Sequence, residues 1–127
     1  VLACMDAFDV ERMALLRALG LPVLSVDDIY IGNGSGPWVY RDPGEPMGFK
    51  DKIHSRYMDE DIPFGSMFLA GLGDLLGVDT PIIDAVNTLA GLLTGQDYRV
   101  QARTPERLGL TGLDLDGLNH YLREGRI

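Results

Sequence analysis

Helix-start and helix-stop signals recur along this chain of 127 residues and restrict its fold more than any other feature. The starts are Ser25, Thr80–Pro81, Thr104–Pro105 and Asp114, and the stops are Gly20, Gly77, Gly95 and Gly109. Between them apolar residues recur at three- and four-residue spacing, which is the period of a helix face. The sequence therefore predicts an all-α fold of about five helices, forming a single domain over residues 1–127.

Each predicted helix has a recognisable boundary. The first covers residues 6–19, with Asp6 and Asp9 placed to favour the positive end of its dipole. A short helix follows Ser25, with Asp28 in the capping-box position. A long helix is expected over 60–76, with Asp59 as its cap and Pro63 in the first turn. Helices over 81–94 and after Asp114 complete the set.

Residues 32–48 form a segment rich in glycine and proline, which predicts a long loop. The glycines at 32, 34 and 36 invite comparison with a dinucleotide-binding loop. That loop needs a preceding strand, a following helix and a third glycine two residues further on. Because Pro37 follows at once, a phosphate-binding role is not predicted.

Composition excludes several classes of function. The net charge of -8 disfavours nucleic acid as a partner. Cys4 is the single cysteine, so neither an intrachain disulfide nor a thiolate zinc cage can form, and a cytoplasmic location is expected. Cys4 lies in an apolar run and is predicted to be buried. No apolar segment approaches the roughly 18 residues that would span a bilayer.

The charged segment from His54 to Asp61, read HSRYMDED, allows three interpretations. Its acids could simply stabilise a helix start. They could bind a metal with His54, although adjacent carboxylates diverge on a helix and one histidine is a poor ligand set. In the third interpretation Arg56, on an extended segment leading into the helix, grips a carboxylate, and Asp61 fixes the tautomer of an imidazole held elsewhere.

Three motifs, "SRYMDEDIPFG", "LGVDTPIIDAV" and "GQDYRVQARTPERLGLTGL", together resemble the C-terminal α-helical domain of the octopine/nopaline (opine) dehydrogenase family. The resemblance covers roughly residues 54–113. It implies the helical domain of a 6-phosphogluconate-dehydrogenase-like oxidoreductase, without its Rossmann domain. One departure is Ala102, where the family usually has glycine before Arg103. Ala102 would strain the backbone if that position needs a positive φ.

The resemblance also implies a reaction, in which an amino acid and a 2-oxo acid condense and NAD or NADP reduces the imine. Arg56 would bind the oxo-acid carboxylate, and Asp61 would orient a catalytic histidine. His54 and Tyr57 are further candidates to line the site. The family's histidine lies upstream of the matched motifs, and His120 is predicted to be on the surface. The cofactor would be bound mainly by an N-terminal Rossmann domain.

Other interpretations stay open at this point. The chain begins in apolar sequence without a methionine, so we expect one domain of a longer enzyme that is inactive alone. A stand-alone helical interaction domain is the alternative from another class, and a homodimer through its exposed flank is a further hypothesis. A ketopantoate-reductase-like ketone reductase would share the architecture.

Overall fold

The computed structural model describes residues 2–32 and 56–125. The predicted Gly/Pro-rich loop beyond Gly32 lies outside the described residues, as does His54. The helices are α1 (Leu2–Ala18), α2 (Val26–Gly32), α3 (Arg56–Asp61), a π-helical segment (Ile62–Ser66), α4 (Met67–Leu76), α5 (Pro81–Thr94) and α6 (Leu115–Glu124), with a 3₁₀ turn at Tyr98–Val100. Within these ranges there is no strand, so the predicted all-α class is confirmed.

Helices α1, α4 and α5 pack against one another and form the centre of the domain. Six buried side chains make up the main core: Leu15, Leu19, Leu72, Ile83, Leu110 and Leu118. A second, smaller cluster joins Ile62 on the π-helical segment to Ala90 on α5 and to the buried ring of Tyr98. The smaller cluster fixes the π-helical segment against α5.

Helix α3, the π-helical segment and α4 form one continuous helix. Its described part begins at Arg56, so Asp59 lies inside the helix and the prediction that Asp59 is the cap was wrong. Pro63 is correspondingly in the helix interior and not in the first turn. A proline there cannot donate to the carbonyl four residues earlier and its ring crowds that carbonyl. The chain widens locally, and the Met67 amide donates to the Ile62 carbonyl five residues back.

Helix α1 differs from its predicted form at its start. The described helix already runs from Leu2, so neither Asp6 nor Asp9 is in its first turn. Asp9 instead accepts hydrogen bonds from Arg12 (2.7 Å) and from the Val26 amide at the start of α2 (2.9 Å). Cys4 is exposed, contrary to prediction, because the buried residues of α1 are further along, at Leu15 and Leu19.

The start of α5 is capped by a residue from another helix. Thr80 occupies the predicted N-cap position, but its hydroxyl makes no capping hydrogen bond. The Glu11 carboxylate on α1 accepts from the Ile82 amide (2.8 Å) and the Ile83 amide (2.9 Å) instead. A carboxylate at a helix N-terminus satisfies free donors and interacts favourably with the dipole. Glu11 therefore ties α1 to α5.

Other local signals behave as predicted. The Ser25 hydroxyl accepts from the Asp28 amide (3.0 Å) and donates to the Asp28 carboxylate (2.6 Å), which lowers the pKa of Asp28. Asp114 caps α6 by accepting from the Gly117 amide (2.8 Å). Gly77 and Gly95 end α4 and α5 in the left-handed conformation that glycine adopts without strain.

Two glycines on α4 allow close packing against connecting segments of the chain. A Cβ on Gly71 would lie 2.5 Å from the Pro105 ring, and one on Gly73 would lie 2.7 Å from the Val78 carbonyl. Both neighbours belong to connecting segments. A side chain at Gly65 would meet open space, so that glycine serves no such contact.

We predict that Glu11→Ala lowers the free energy of unfolding of the isolated domain by about 1–2 kcal/mol, since it leaves two helix-start amides without their acceptor. Urea denaturation of the two proteins measures this difference. Glu124→Ala removes an exposed acid from the last turn of α6 and is the control. Equal stability of the Glu11→Ala and Glu124→Ala variants would contradict the capping role.

Candidate functional site

The π-helical segment presents one side chain to solvent and buries three others. Ile62, Pro63 and Ser66 are buried, whereas Phe64 is 41% exposed. Asp61, the last residue of α3, is also exposed. No hydrogen bond or ion pair joins its carboxylate to another residue in the described ranges. Asp61 is thus available to a group from outside these ranges, directly before a π-helical turn of the kind often found at functional sites.

Asp59 is held by the segment that follows α5. The Tyr98 hydroxyl donates to the Asp59 carboxylate at 3.3 Å, and the Gln96 amide approaches the same oxygen at 3.5 Å. The Tyr98 ring is 1% exposed and packs in the cluster with Ile62. Asp59 therefore anchors α3 to the 96–100 segment, a role beyond the helix-dipole effect expected from sequence.

Arg103 is attached to the same π-helical segment. Its backbone amide donates to the Pro63 carbonyl at 3.0 Å, and its guanidinium lies over the Phe64 ring, 5.0 Å from the ring centroid. Ala102 before it is 1% exposed. No described residue other than glycine has a positive φ, so the strain expected at Ala102 does not arise. The buried Ala102 instead fixes the backbone that carries Arg103.

The structure describes some of the predicted site residues more fully than others. Arg56 and Tyr57 are the first two described residues of α3, and nothing is described of their side chains. Arg56 lies in a helix, whereas an extended segment was predicted there. Asp61 follows Arg56 within this helix. His120 is exposed on α6, which confirms its predicted surface position.

Two buried polar atoms near this segment have no hydrogen-bond partner among the described residues. They are the Ser66 hydroxyl oxygen on the π-helical segment and the Asn87 side-chain oxygen on α5. An unpaired buried polar atom costs about 1–3 kcal/mol. The contact between the π-helical segment and α5 is therefore not optimised for stability alone.

A cleft of about 810 Å³ lies between α4, α5 and the 95–106 segment. Its ionisable lining consists of Asp74, Asp84, Asp97, Glu106 and Arg99. Four acids and one base repel a carboxylate ligand. Neither Asp61 nor Phe64 lines the cleft. Although this cleft is large, the charge of its lining disfavours an anionic ligand.

The acids of this cleft affect one another. The pKa of Asp84 is raised by its loss of water against the cleft wall and then by the nearby charges of Asp74 and Glu11. Asp84 lies in the first turn of α5, where the dipole would favour its charge. Because Glu11 already occupies the amides there, desolvation and, after it, repulsion outweigh the dipole.

The described residues do not fit a dinucleotide or a metal cluster. They contain no strand from which a glycine-rich phosphate turn could start. The same part of the chain contains no group of three His, Cys, Asp or Glu side chains placed to hold a metal ion. None of its helices is both long and apolar enough to cross a bilayer.

Comparison with known proteins identifies the helical scaffold. Residues 35–94 match the family model described as NAD/NADP octopine/nopaline dehydrogenase, alpha-helical domain. This chain carries an α-helical domain of the octopine/nopaline dehydrogenase family. The match includes the π-helical segment, Asp61 and the whole of α5, so the resemblance seen in the sequence motifs is confirmed.

Two curated relatives support the assignment. The chain is 36% identical over 124 residues to an opine dehydrogenase of Arthrobacter sp. (strain 1C), covering 89% of this chain and 33% of the relative. It is 36% identical over 76 residues to a tauropine dehydrogenase of Arabella iricolor, covering 52% of this chain and 19% of that protein. The opine dehydrogenase-type domain thus spans about a third of the first relative's length and about a fifth of the second's.

Two features of the site were missed from sequence alone. Tyr98 belongs to the Asp-Tyr pair of the third motif, but nothing local indicates that its hydroxyl reaches back to Asp59. Arg103 was noted only for its neighbour Ala102. The aromatic residue after Pro63 was a usable signal, because an exposed ring can hold a guanidinium.

We predict that Tyr98→Phe lowers the unfolding free energy by about 1.5–3 kcal/mol, the range for a hydrogen bond to a charged group. A double-mutant cycle with Asp59→Asn, followed by thermal denaturation, measures the coupling between the two side chains. Tyr121→Phe is the control, because the Tyr121 hydroxyl donates to no described residue. Additive effects in the cycle would rule out the Tyr98–Asp59 bond.

We also predict that Asp84→Asn raises the melting temperature at pH 7 and changes it little at pH 3. A raised pKa means that folded Asp84 keeps its proton to higher pH than the unfolded chain. Stability is therefore lost as the pH rises through the raised pKa, and the amide removes this loss. Asp79→Asn, an exposed acid just before α5, is the control. A lower melting temperature at pH 7 for Asp84→Asn would show that the dipole dominates.

Proposed function

We propose that residues 1–127 are the substrate-binding helical domain of an NAD(P)-dependent opine dehydrogenase-like oxidoreductase. The full enzyme would join the amine of an amino acid to the carbonyl carbon of a 2-oxo acid, with loss of water, and reduce the resulting imine to a secondary amine. The observation that carries this proposal is Asp61, which is exposed and has no partner among the described residues, at the junction with the π-helical segment and inside the family-matched region. The opine and tauropine dehydrogenase relatives favour imine reduction over ketone reduction.

In this proposal Arg56 binds the carboxylate of the 2-oxo acid. A guanidinium keeps its charge at all physiological pH values and can form two parallel hydrogen bonds to a carboxylate. Holding the oxo acid in one orientation places its carbonyl carbon for attack by the amine. Arg56 belongs to α3, so a continuous helix connects it to Asp61. His54 and Tyr57 are further proposed lining residues.

Asp61 orients a histidine supplied from outside the described residues. A carboxylate that accepts from one imidazole nitrogen fixes the tautomer, so the other nitrogen can exchange a proton with the reacting nitrogen or oxygen. The nicotinamide of NAD or NADP would supply the hydride. We propose that a separate N-terminal Rossmann domain holds this cofactor, since the described residues of this chain do not fit it.

The first test uses the full-length protein that contains this domain. We expect oxidation of NADH or NADPH, followed at 340 nm, to require both pyruvate or another 2-oxo acid and an amino acid. Amino acids are tested one at a time. The isolated chain of 127 residues is expected to show no turnover. Oxidation that needs only the oxo acid would indicate ketone reduction and contradict the proposal.

Arg56 and Asp61 are then separated by kinetics. Arg56→Gln should raise the KM for the 2-oxo acid at least tenfold, the equivalent of about 1.4 kcal/mol of lost binding. Asp61→Asn should lower kcat by about a hundredfold or more, because the imidazole loses its orienting charge. Asp116→Asn, an exposed acid on α6, is the matched control. An Arg56→Gln enzyme with unchanged oxo-acid KM would remove Arg56 from the site.

A further inference from the structure

We propose that Arg103 binds the carboxylate of the amino-acid substrate. This inference rests on the proposed function, in which the product carries two carboxylates on either side of a secondary amine. Arg56 is assigned to the carboxylate of the oxo acid. The second carboxylate needs its own donor, because a buried or partly buried anion without a partner weakens binding.

Two of the described arginines are already paired with other groups, whereas Arg103 is not. Arg12 pairs with Asp9 at 2.7 Å and also donates to the Leu24 carbonyl. Arg107 donates to the carbonyls of Val100 (2.9 Å) and Ala102 (3.1 Å). The Arg103 guanidinium has neither an ion pair nor a hydrogen-bond acceptor among the described residues, and its side chain is exposed.

Position is the second argument. The Arg103 amide donates to the carbonyl of Pro63, two residues after Asp61, and the guanidinium lies over the ring of Phe64. These contacts place its charge on the same exposed surface as the proposed imidazole-orienting acid. By contrast, Arg99 lines the acidic cleft, and Arg17 and Arg123 lie in the last turns of α1 and α6.

The Phe64 ring makes Arg103 suitable for recognition. The electron-rich face of the ring attracts the cation, while the N–H donors in the guanidinium plane stay available to a ligand. The buried Ala102 fixes the backbone next to Arg103. The guanidinium is therefore restricted in position before a ligand arrives, which reduces the entropy lost on binding.

The test measures two KM values in the full-length enzyme, using pyruvate and the amino acid that gives the fastest turnover with it. Arg103→Gln should raise the KM for the amino acid at least tenfold and leave the KM for pyruvate within twofold. Arg103→Lys should recover part of the loss, since it restores charge without the planar donor pair. Phe64→Leu should raise the amino-acid KM in the same direction by a smaller factor.

Arg123→Gln removes an equal charge from α6 and is the control, and thermal denaturation of each variant detects misfolding. A rise in the pyruvate KM alone, unchanged KM values, or equal rises in both would overturn the assignment of Arg103. A wild-type enzyme that does not need both substrates would instead refute the proposed function, whatever Arg103 does.

Discussion

Pro63 in the interior of a long helix is the constraint on which the site surface depends. Since proline has no amide hydrogen, the regular bonding pattern cannot continue through it, and the helix widens over Ile62–Ser66. The widened segment buries Ile62 and Pro63 and leaves Phe64 exposed. The Pro63 carbonyl of this segment accepts a hydrogen bond from the Arg103 amide, which lies far along the chain. One backbone irregularity thereby fixes both the end of α3 at Asp61 and the position of Arg103.

The surrounding contacts hold this irregular segment in place. The Tyr98 ring packs against the π-helical segment, and its hydroxyl donates a hydrogen bond to Asp59, which precedes that segment on α3. Ala90 on α5 packs in the same cluster. Glu11 attaches the start of α5 to α1, so α5 is itself fixed to the main core. The unpaired oxygens of Ser66 and Asn87 on the facing helices indicate that stability is not fully optimised at this contact. Backbone irregularity and unpaired polar atoms concentrate at functional sites, where the structure tolerates their cost.

How far sequence could predict this structure depends on the distance over which each signal acts. Ser25, Asp114 and the stop glycines were correctly assigned because a cap and its amides lie within a few residues of each other. Thr80 was correctly placed at the N-cap of α5, but the Glu11 carboxylate that accepts from the amides there was missed, because it lies far away in sequence and close in space. The Tyr98–Asp59 bond was missed for the same reason. The family and the all-α class were recognisable because motif order and helical periodicity can be identified in the sequence without knowledge of packing.

To bind two carboxylates as proposed, an acidic chain needs local cations more than a favourable net charge. The charge of -8 acts on an approaching anion from a distance, but salt screens it within about 8 Å at physiological ionic strength. At contact distance the deciding charges are those of the proposed clamps, Arg56 and Arg103. The large cleft, by contrast, is lined by four acids and one base, which would repel the same carboxylates. The distribution of charge, and not the size of the cavity, thus supports the Asp61 surface over the cleft as the proposed site for a carboxylate.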